Sequence, residues 1–462
     1  MKYEITFSPS LMIGLALALT VWAIFYPGIL SADSLYTYNE AVTGKFTDTR
    51  PLLISFTLFL YLKMGGTLGS FILLESLLGF LGVRRLLLAI TDLFFVGQQR
   101  RELVASIGIM ILSAPLTPMS VYFVTLWFDS WLVIFLLWTM ALLLELSKSA
   151  TTTATWRDYS KMIATLLLIS LVMLTRWNSL ILYPPLILTW SIILWDKYFS
   201  RKMLLAMSIS PFVIYLLFIL FQYNGIGAVR VHNERVILAL DLASMIVYEP
   251  VVCQTLPLQS CDLIQGKITS EFVVGAGAID HTMNQGLSTI EPAYAALTFS
   301  PSLPHELWLA ATNYPWTYAT VKVLNFLDYI RPRDRYYYQS FMHPNNLNLS
   351  LNSRFEPVRS KLFILLHAVY EHPLLKYISF VHLPWIVINL VGIALCFKYK
   401  QKSNQLRILG MILFIPTTYY ASHLIVLAAS DFRYMYPSTL VMQVLAIGFV
   451  SAFSCPKDRA KA

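Results

Sequence analysis

Four stretches of this 462-residue chain carry the side chains best suited to chemistry. Asp33, Glu40, Asp48 and Arg50 share the first polar stretch; Asp129 stands in TLWFDSW, Arg176 and Asn178 in TRWNS, and Asp431 and Arg433 in SDFRYMYP. A carboxylate beside a low-dielectric medium can have its pKa raised into the range of a general base. Guanidinium groups stay charged and offer a planar fork that fits phosphate or carboxylate oxygens. Together they suit removal of a proton from a hydroxyl while an anion is held nearby. Plainer readings exist for each residue. Asp33 precedes a polar helical stretch and could cap it, Asp129 and Arg176 could be interface residues reaching water, and Asp431 could pair with Arg433 or Arg176.

The elements that position these residues follow from composition. Residues AVILMFWYC make up 57% of the chain and Asp, Glu, Lys and Arg only 13%, whereas soluble domains have about 45–50% and about 25%. A soluble enzyme, a disordered chain and a secreted disulfide scaffold are excluded. The formal charge of +9 is read as retention of Lys and Arg on the cytoplasmic side rather than as a nucleic-acid surface.

Spans of about 20 apolar residues are expected at Leu11–Tyr26, Leu68–Val83, Glu102–Phe123, Trp131–Leu146, Met162–Thr175, Leu180–Trp195, Met203–Phe221, Tyr377–Phe397, Ile408–Ala429 and Pro437–Phe453. A cleaved signal peptide is the rival for the first, which is longer than a usual signal core. Pro115 and Pro118 are expected to kink the third span. Pro51–Lys63 is too short to cross and reads as an interfacial or re-entrant helix. With that parity every inward end meets basic residues, among them Arg84, Arg85, Lys148, Lys202, Lys398 and Lys457. The expected architecture is an all-α polytopic membrane protein of about ten transmembrane helices, with both termini inside. Residues 1–222 form an N-terminal transmembrane module whose first external loop is 29–63; 223–376 form a large external, acceptor-side region, and 377–462 a C-terminal transmembrane module. Pro315–Tyr329 and Leu362–Val369 could lie on the membrane surface.

On this map the chemistry-bearing residues all fall on the external face. Cys253 and Cys261 share the external region, where an oxidising compartment would allow a disulfide between them, while Cys396 and Cys455 sit singly at cytoplasmic ends. His232, His281, His305, His343, His367 and His372 are scattered without ligand spacing. Asp33, Asp48 or Asp129 could hold a divalent cation, but no metal site is expected.

The first loop, PGILSADSLYTYNEAVTGKFTDTRPLL, runs from Pro-Gly through Asp-Ser and a short polar helix to Asp-x-Arg-Pro. It resembles the first external loop of membrane glycosyltransferases of the GT-C fold, which take sugars from polyprenyl-phosphate carriers. WFD at Trp127–Asp129 is similar to a Trp-Lys-Asp element of bacterial members, with Phe128 where lysine is common. Arg176–Asn178 and Asp431–Tyr434 also resemble family positions; residues 223 to 360 show little likeness. The resemblance implies a GT-C-like bundle in a bacterial inner membrane and a polyprenyl-phosphate sugar donor. An acidic residue of the first loop is the usual base, here Asp33. Arg50, Asp129, Arg176, Asn178, Asp431, Arg433 and Tyr434 would serve donor phosphate or sugar, with Asp48 secondary.

Arg331, Arg333 and Arg335, interleaved with Tyr336–Tyr338, form a further cluster for lipid headgroups or a donor or acceptor phosphate, or a solvated loop. Attack opposite the leaving phosphate would invert the anomeric centre, and a lipid-monophosphate donor does not require a metal. The acceptor would be a cell-envelope glycan, a lipid or a protein; the partners are then membrane lipids, donor and acceptor, and no nucleic acid. Two other readings stand beside it: a polymerase or ligase of lipid-linked polysaccharide, and a polar-lipid transporter or flippase. A transporter would be expected to show mid-span ionisable residues and repeats; Glu75 and Glu145 are the few span-embedded acids, and no repeat is visible.

Overall fold

The computed structural model describes residues 8–95, 97–113, 116–148, 155–195, 200–232, 234–256, 261–262, 297–330, 342, 345–399, 404–426 and 432–453. Arg331, Arg333, Arg335, Tyr336–Tyr338, His281, His343, Asp431, Cys455 and Lys457 lie outside them.

The chain is an all-α, multi-pass membrane protein. Among the described residues the extended pairing consists of isolated bridges. In the amino-terminal half the helices are α1 (Pro9–Ile24), α2 (Ala32–Thr43), α3 (Leu53–Lys63), α4 (Leu68–Thr91), α5 (Gln98–Ser113), α6 (Met119–Tyr122), α7 (Phe128–Lys148), α8 (Trp156–Thr175), α9 (Tyr183–Leu194) and α10 (Arg201–Asn224). Next come α11 (Glu234–Tyr248), α12 (Leu303–Asn313), α13 (Pro315–Ile330), α14 (Glu356–Glu371), α15 (Leu375–Ser379), α16 (Leu383–Lys398), α17 (Asn404–Ile425) and α18 (Phe432–Phe453). Six described helical stretches are long and apolar enough to cross a bilayer: α7, α8, Trp177–Leu194, α10, Leu406–Ile425 and Arg433–Ser451. The apolar helices α1, α3 and α16 are shorter, and α4, at 24 residues, carries Glu75, Arg84 and Arg85.

Each expected span contains helix, with breaks where proline dictates. The stretch Glu102–Phe123 ends its first helix at Ser113 and restarts at Met119, capped by Pro118; proline lacks the N–H that would continue the ladder. Tyr377–Phe397 likewise splits into α15 and α16, the second starting with Pro384 in its first turn, where a missing N–H is harmless.

The chain divides into two compact units, Met1–Val229 with Tyr338–Tyr419 and Met435–Ala462, and Arg230–Tyr337 with Tyr420–Tyr434. In the first, α7 packs against α4 and α8, and α1 against α4 and α5. Close approach depends on glycine: a Cβ at Gly79 would sit 2.6 Å from the Phe123 ring, and at Gly28 (φ +121°) 2.6 Å from Ile72. Indole donors fix the register, Trp22 Nε1 to the Gly69 carbonyl at 2.7 Å and Trp138 Nε1 to that of Leu78 at 3.0 Å. Segment 345–376, part of the expected external region, belongs to this unit. Buried Arg359 of α14 donates to the carbonyls of Ile24 (2.9 Å) and Asn352 (2.7 Å), and the Asn352 N–H reaches Tyr26.

The second unit builds its core from α11, the 3-10 turn Pro250–Thr255 and α12, with Leu240, Met245, Val252, Leu303 and Leu307 inside. Cys253 and Cys261 are disulfide-bonded, Cα atoms 5.8 Å apart. Lys322 of α13 holds buried Asp241 of α11 at 2.6 Å and donates to the Ile425 carbonyl. Burial pushes the Asp241 carboxyl up, against the pull of Lys322.

Candidate active site

The first unit gathers several of the expected residues around its first loop. After Gly28 the chain runs beside 124–126: Ile29 N–H donates to Val124 at 2.8 Å, and Leu126 N–H returns a bond to Ile29 at 3.2 Å. That bridge ties the first loop to the segment leading into WFD. Trp127 then donates its indole N–H to Ser31 Oγ at 2.9 Å.

Ser31, not Asp33, caps α2, accepting from the Ser34 N–H. Asp33 lies in the helix's first turn, where the macrodipole favours a negative charge. Its carboxylate meets Arg50 Nη2 at 2.6 Å, and Arg50 Nη1 donates to the Asp33 carbonyl at 3.1 Å. About a third of the Asp33 side chain and over a quarter of that of Arg50 remain exposed (35% and 28%), so a ligand can reach both.

Arg50 connects this pair to the next. Its guanidinium lies over the Phe128 ring, 5.3 Å from the centroid. The next residue, Asp129, is 4% exposed and bonds Arg176 Nη1. Asp129 and Arg176 are therefore mutual partners; Asp431, the rival partner for Arg176, lies outside the described residues. Trp177 follows and donates to the Asp48 carbonyl at 3.3 Å; the Asp48 carboxylate accepts from Tyr223 of α10 at 2.9 Å. Asn178 sits in the 3-10 turn Trp177–Leu182 directly after these residues. The far end of the loop is clamped by a Thr47–Val229 bridge, with Asp48 N–H donating to Val229 at 2.9 Å.

Inside the loop, Glu40 organises the chain in a way its sequence position does not announce. It accepts from Thr47 N–H (2.9 Å), Thr47 Oγ1 (3.0 Å) and Ser55 Oγ (2.7 Å), which joins α2, the Asp-x-Arg segment and α3. Burial pushes its carboxyl above the ordinary range, partly offset by these bonds and by Arg50. Its spacing to Thr47 and Ser55 follows no helical or strand period, and Tyr223 is 175 positions from Asp48, so neither contact had a sequence signal.

Arg433 and Tyr434 belong to the second unit. There the Arg433 guanidinium stacks on the Tyr434 ring at 5.1 Å, at the start of α18. Among the described residues no group of three His, Cys, Asp or Glu could hold a metal ion.

This geometry offers a reachable carboxylate whose counter-ion is a guanidinium, a second carboxylate–guanidinium pair beyond one aromatic ring, and a buried acid fixing the loop that carries them. An incoming anion could draw Arg50 from Asp33 and leave a carboxylate beside it to accept a proton.

No protein-family model matches the chain, and no curated protein matches it. Among solved structures it is similar to ArnT from Cupriavidus metallidurans, in a crystal structure bound to undecaprenyl phosphate, with 15% identity and a TM-score of 0.37 over 95% of this chain and 77% of that one. A superposition that loose decides neither fold nor function.

Proposed function

We propose that the protein is an integral membrane glycosyltransferase of the GT-C type, moving a sugar from a polyprenyl-phosphate carrier to a cell-envelope glycan, lipid or protein. The reaction takes place at the external face of a bacterial inner membrane, with both termini inside. The observation that carries this reading is the Asp33–Arg50 pair at 2.6 Å, joined through Phe128 to Asp129 and Arg176, on a loop whose residue pattern resembles that family.

In this reading the donor phosphate takes Arg50 as its partner, because guanidinium binds phosphate oxygens bidentately. Asp33, released, accepts the proton of the acceptor hydroxyl. The acceptor oxygen attacks the anomeric carbon, the bond from that carbon to the phosphate oxygen breaks, and the electron pair leaves with polyprenyl phosphate. Attack from the opposite face inverts the anomeric centre. Arg50 and Arg176 neutralise the charge gathering on the leaving oxygen, and preorganised stabilisation of that kind usually supplies most of an enzyme's rate enhancement. Asp129 holds Arg176 in place, and Asn178 and Asp48 shape the donor side. By the same resemblance Asp431, Arg433 and Tyr434 are further candidates for binding sugar or phosphate, with Arg331, Arg333 and Arg335 secondary. A polymerase or ligase of lipid-linked polysaccharide would use the same chemistry on a larger acceptor.

Glu75 is the observation that favours a polar-lipid transporter instead. It is wholly buried in α4, with only the Ser130 hydroxyl and the Trp131 indole as polar neighbours among the described residues; buried acids at mid-membrane often serve transport. Glu145 is less telling, since it pairs with Arg85 and Lys161 at the basic helix ends. Mass spectrometry of envelope glycans from cells with and without the gene separates the readings. Transfer predicts loss of one defined sugar, whereas glycans of unchanged composition would reject it.

A further inference from the structure

The carboxy-terminal half of α4 borders a cavity of about 590 Å³ that the proposed chemistry does not use. Its walls set Arg84, Arg85 and Arg101 against Asp92, Glu102 and Glu145. The acids are shared. Asp92 meets both Arg101 and Lys148, Glu145 both Arg85 (2.8 Å) and Lys161 (2.9 Å), and Glu102 meets Arg84 at 3.2 Å. Among the described residues five cations thus face three carboxylates in these pairs, leaving two positive charges in excess.

These cations are not equally satisfied. Arg84 also donates to Ser10 and Ser8, each at 2.8 Å, and Arg85 stacks on Trp138 at 4.9 Å. Arg101 reaches Asp92 through one terminal nitrogen, while its Nε is buried without a hydrogen-bond partner among the described residues. A buried guanidinium donor left open is unfavourable unless an acceptor fills it, and surplus positive charge selects an anion. The flank of the cavity names the kind of anion. Beside the arginines, Leu11, Leu81 and Leu88 line the same cavity, an apolar wall suited to acyl chains.

The cavity also lies at the opposite end of α1 from the first loop. Ser8 and Ser10, at the start of α1, meet Arg84 and Glu102, whereas Trp22 near its end bonds Gly69. The 16 residues of α1 rise about 24 Å at 1.5 Å each, most of a bilayer's hydrocarbon core.

We infer that this cavity holds the phosphodiester headgroup of an anionic phospholipid, from the leaflet opposite the first loop. Arg101 supplies the open donor, and Arg84 and Arg85 the flanking charge. Basic pockets between helices are known to select such headgroups.

Full-length protein, delipidated in detergent, would be titrated with phosphatidylglycerol or phosphatidylcholine and the retained lipid counted by native mass spectrometry. Each surplus charge is worth roughly fivefold in affinity, so wild-type protein should prefer phosphatidylglycerol roughly 25-fold, and Arg101→Gln should reduce that to roughly fivefold. Equal retention of the two lipids by wild type, or an undiminished preference in Arg101→Gln, overturns the inference. Millimolar inorganic phosphate that removes the bound lipid assigns the site to a free anion and overturns the lipid. Should Arg101→Gln fail to fold, Arg85→Gln removes one surplus charge in its place; a preference reduced to roughly fivefold supports the inference and an undiminished one overturns it. None of these readouts depends on sugar transfer.

Discussion

Replacing Arg50 with lysine separates what holds the loop from what would hold a phosphate. Arg50 makes an ion pair with Asp33 at 2.6 Å, a second bond at 3.1 Å to its carbonyl, and a ring contact with Phe128 at 5.3 Å. With both side chains partly in solvent, the ion pair is worth about 0.5–1 kcal/mol, and the ring contact adds about as much. Lysine keeps the charge and part of each contact, so Arg50→Lys should lower stability by no more than about 1 kcal/mol. It cannot reproduce a bidentate grip on phosphate. Losing one charge-assisted hydrogen bond costs about 1.5–3 kcal/mol, which is about 10- to 150-fold in rate. The assay pairs kcat/KM for transfer from a polyprenyl-phosphate sugar with unfolding in detergent. A rate within about threefold of wild type would remove Arg50 from the phosphate site, and so would a lost rate accompanied by several kcal/mol of destabilisation.

Three further substitutions probe the frame. Arg176→Met strands the buried Asp129 carboxylate and should destabilise by about 3–5 kcal/mol, most of it regained in the Asp129→Leu/Arg176→Met double variant; denaturant unfolding measures both, and an unrescued double variant would contradict a mutual pair. Glu40 is held above its ordinary value of 4.5 mainly by burial, so its contribution is fully present below that pH and is lost as pH rises through the raised folded value. The stability of wild type relative to Glu40→Gln should accordingly fall from pH 4 to pH 7, and a gap that widens would reverse the assignment. The Cys253–Cys261 bond closes a loop over eight positions, so Cys253→Ser should cost the second unit about 2–3 kcal/mol, read from its protease resistance; wild-type protein should resist alkylation at both positions until reduced.

The helices were legible because apolar run length and basic flanks are local properties. Even the break after Ser113 was foreshadowed by Pro118. Their pairing was not. Asp33 with Arg50 is separated by a helix and a turn, and Asp129 with Arg176 by two helices; charge complementarity allowed several matches, and tertiary packing chose these. The cap on α2 went to Ser31 because the Ile29–Thr125 bridge fixes where the helix begins. Residues 345–376 read as external because they are polar, and Arg359 ties part of that stretch to the end of α1 through carbonyl contacts that composition does not encode. Phe128 stands where the related motif has lysine, and its use as a platform for Arg50 became visible only in three dimensions.

The proposed role of Asp33 is tested most directly with purified protein in lipid nanodiscs and a labelled polyprenyl-phosphate sugar, comparing wild type with Asp33→Asn at matched folded protein. Wild type should release polyprenyl phosphate and yield an inverted glycoside, while Asp33→Asn, still folded, should lose turnover by about 100-fold or more. Asp33→Asn turning over at the wild-type rate would contradict that role, and a donor left covalently intact by both proteins would contradict the transfer chemistry with it.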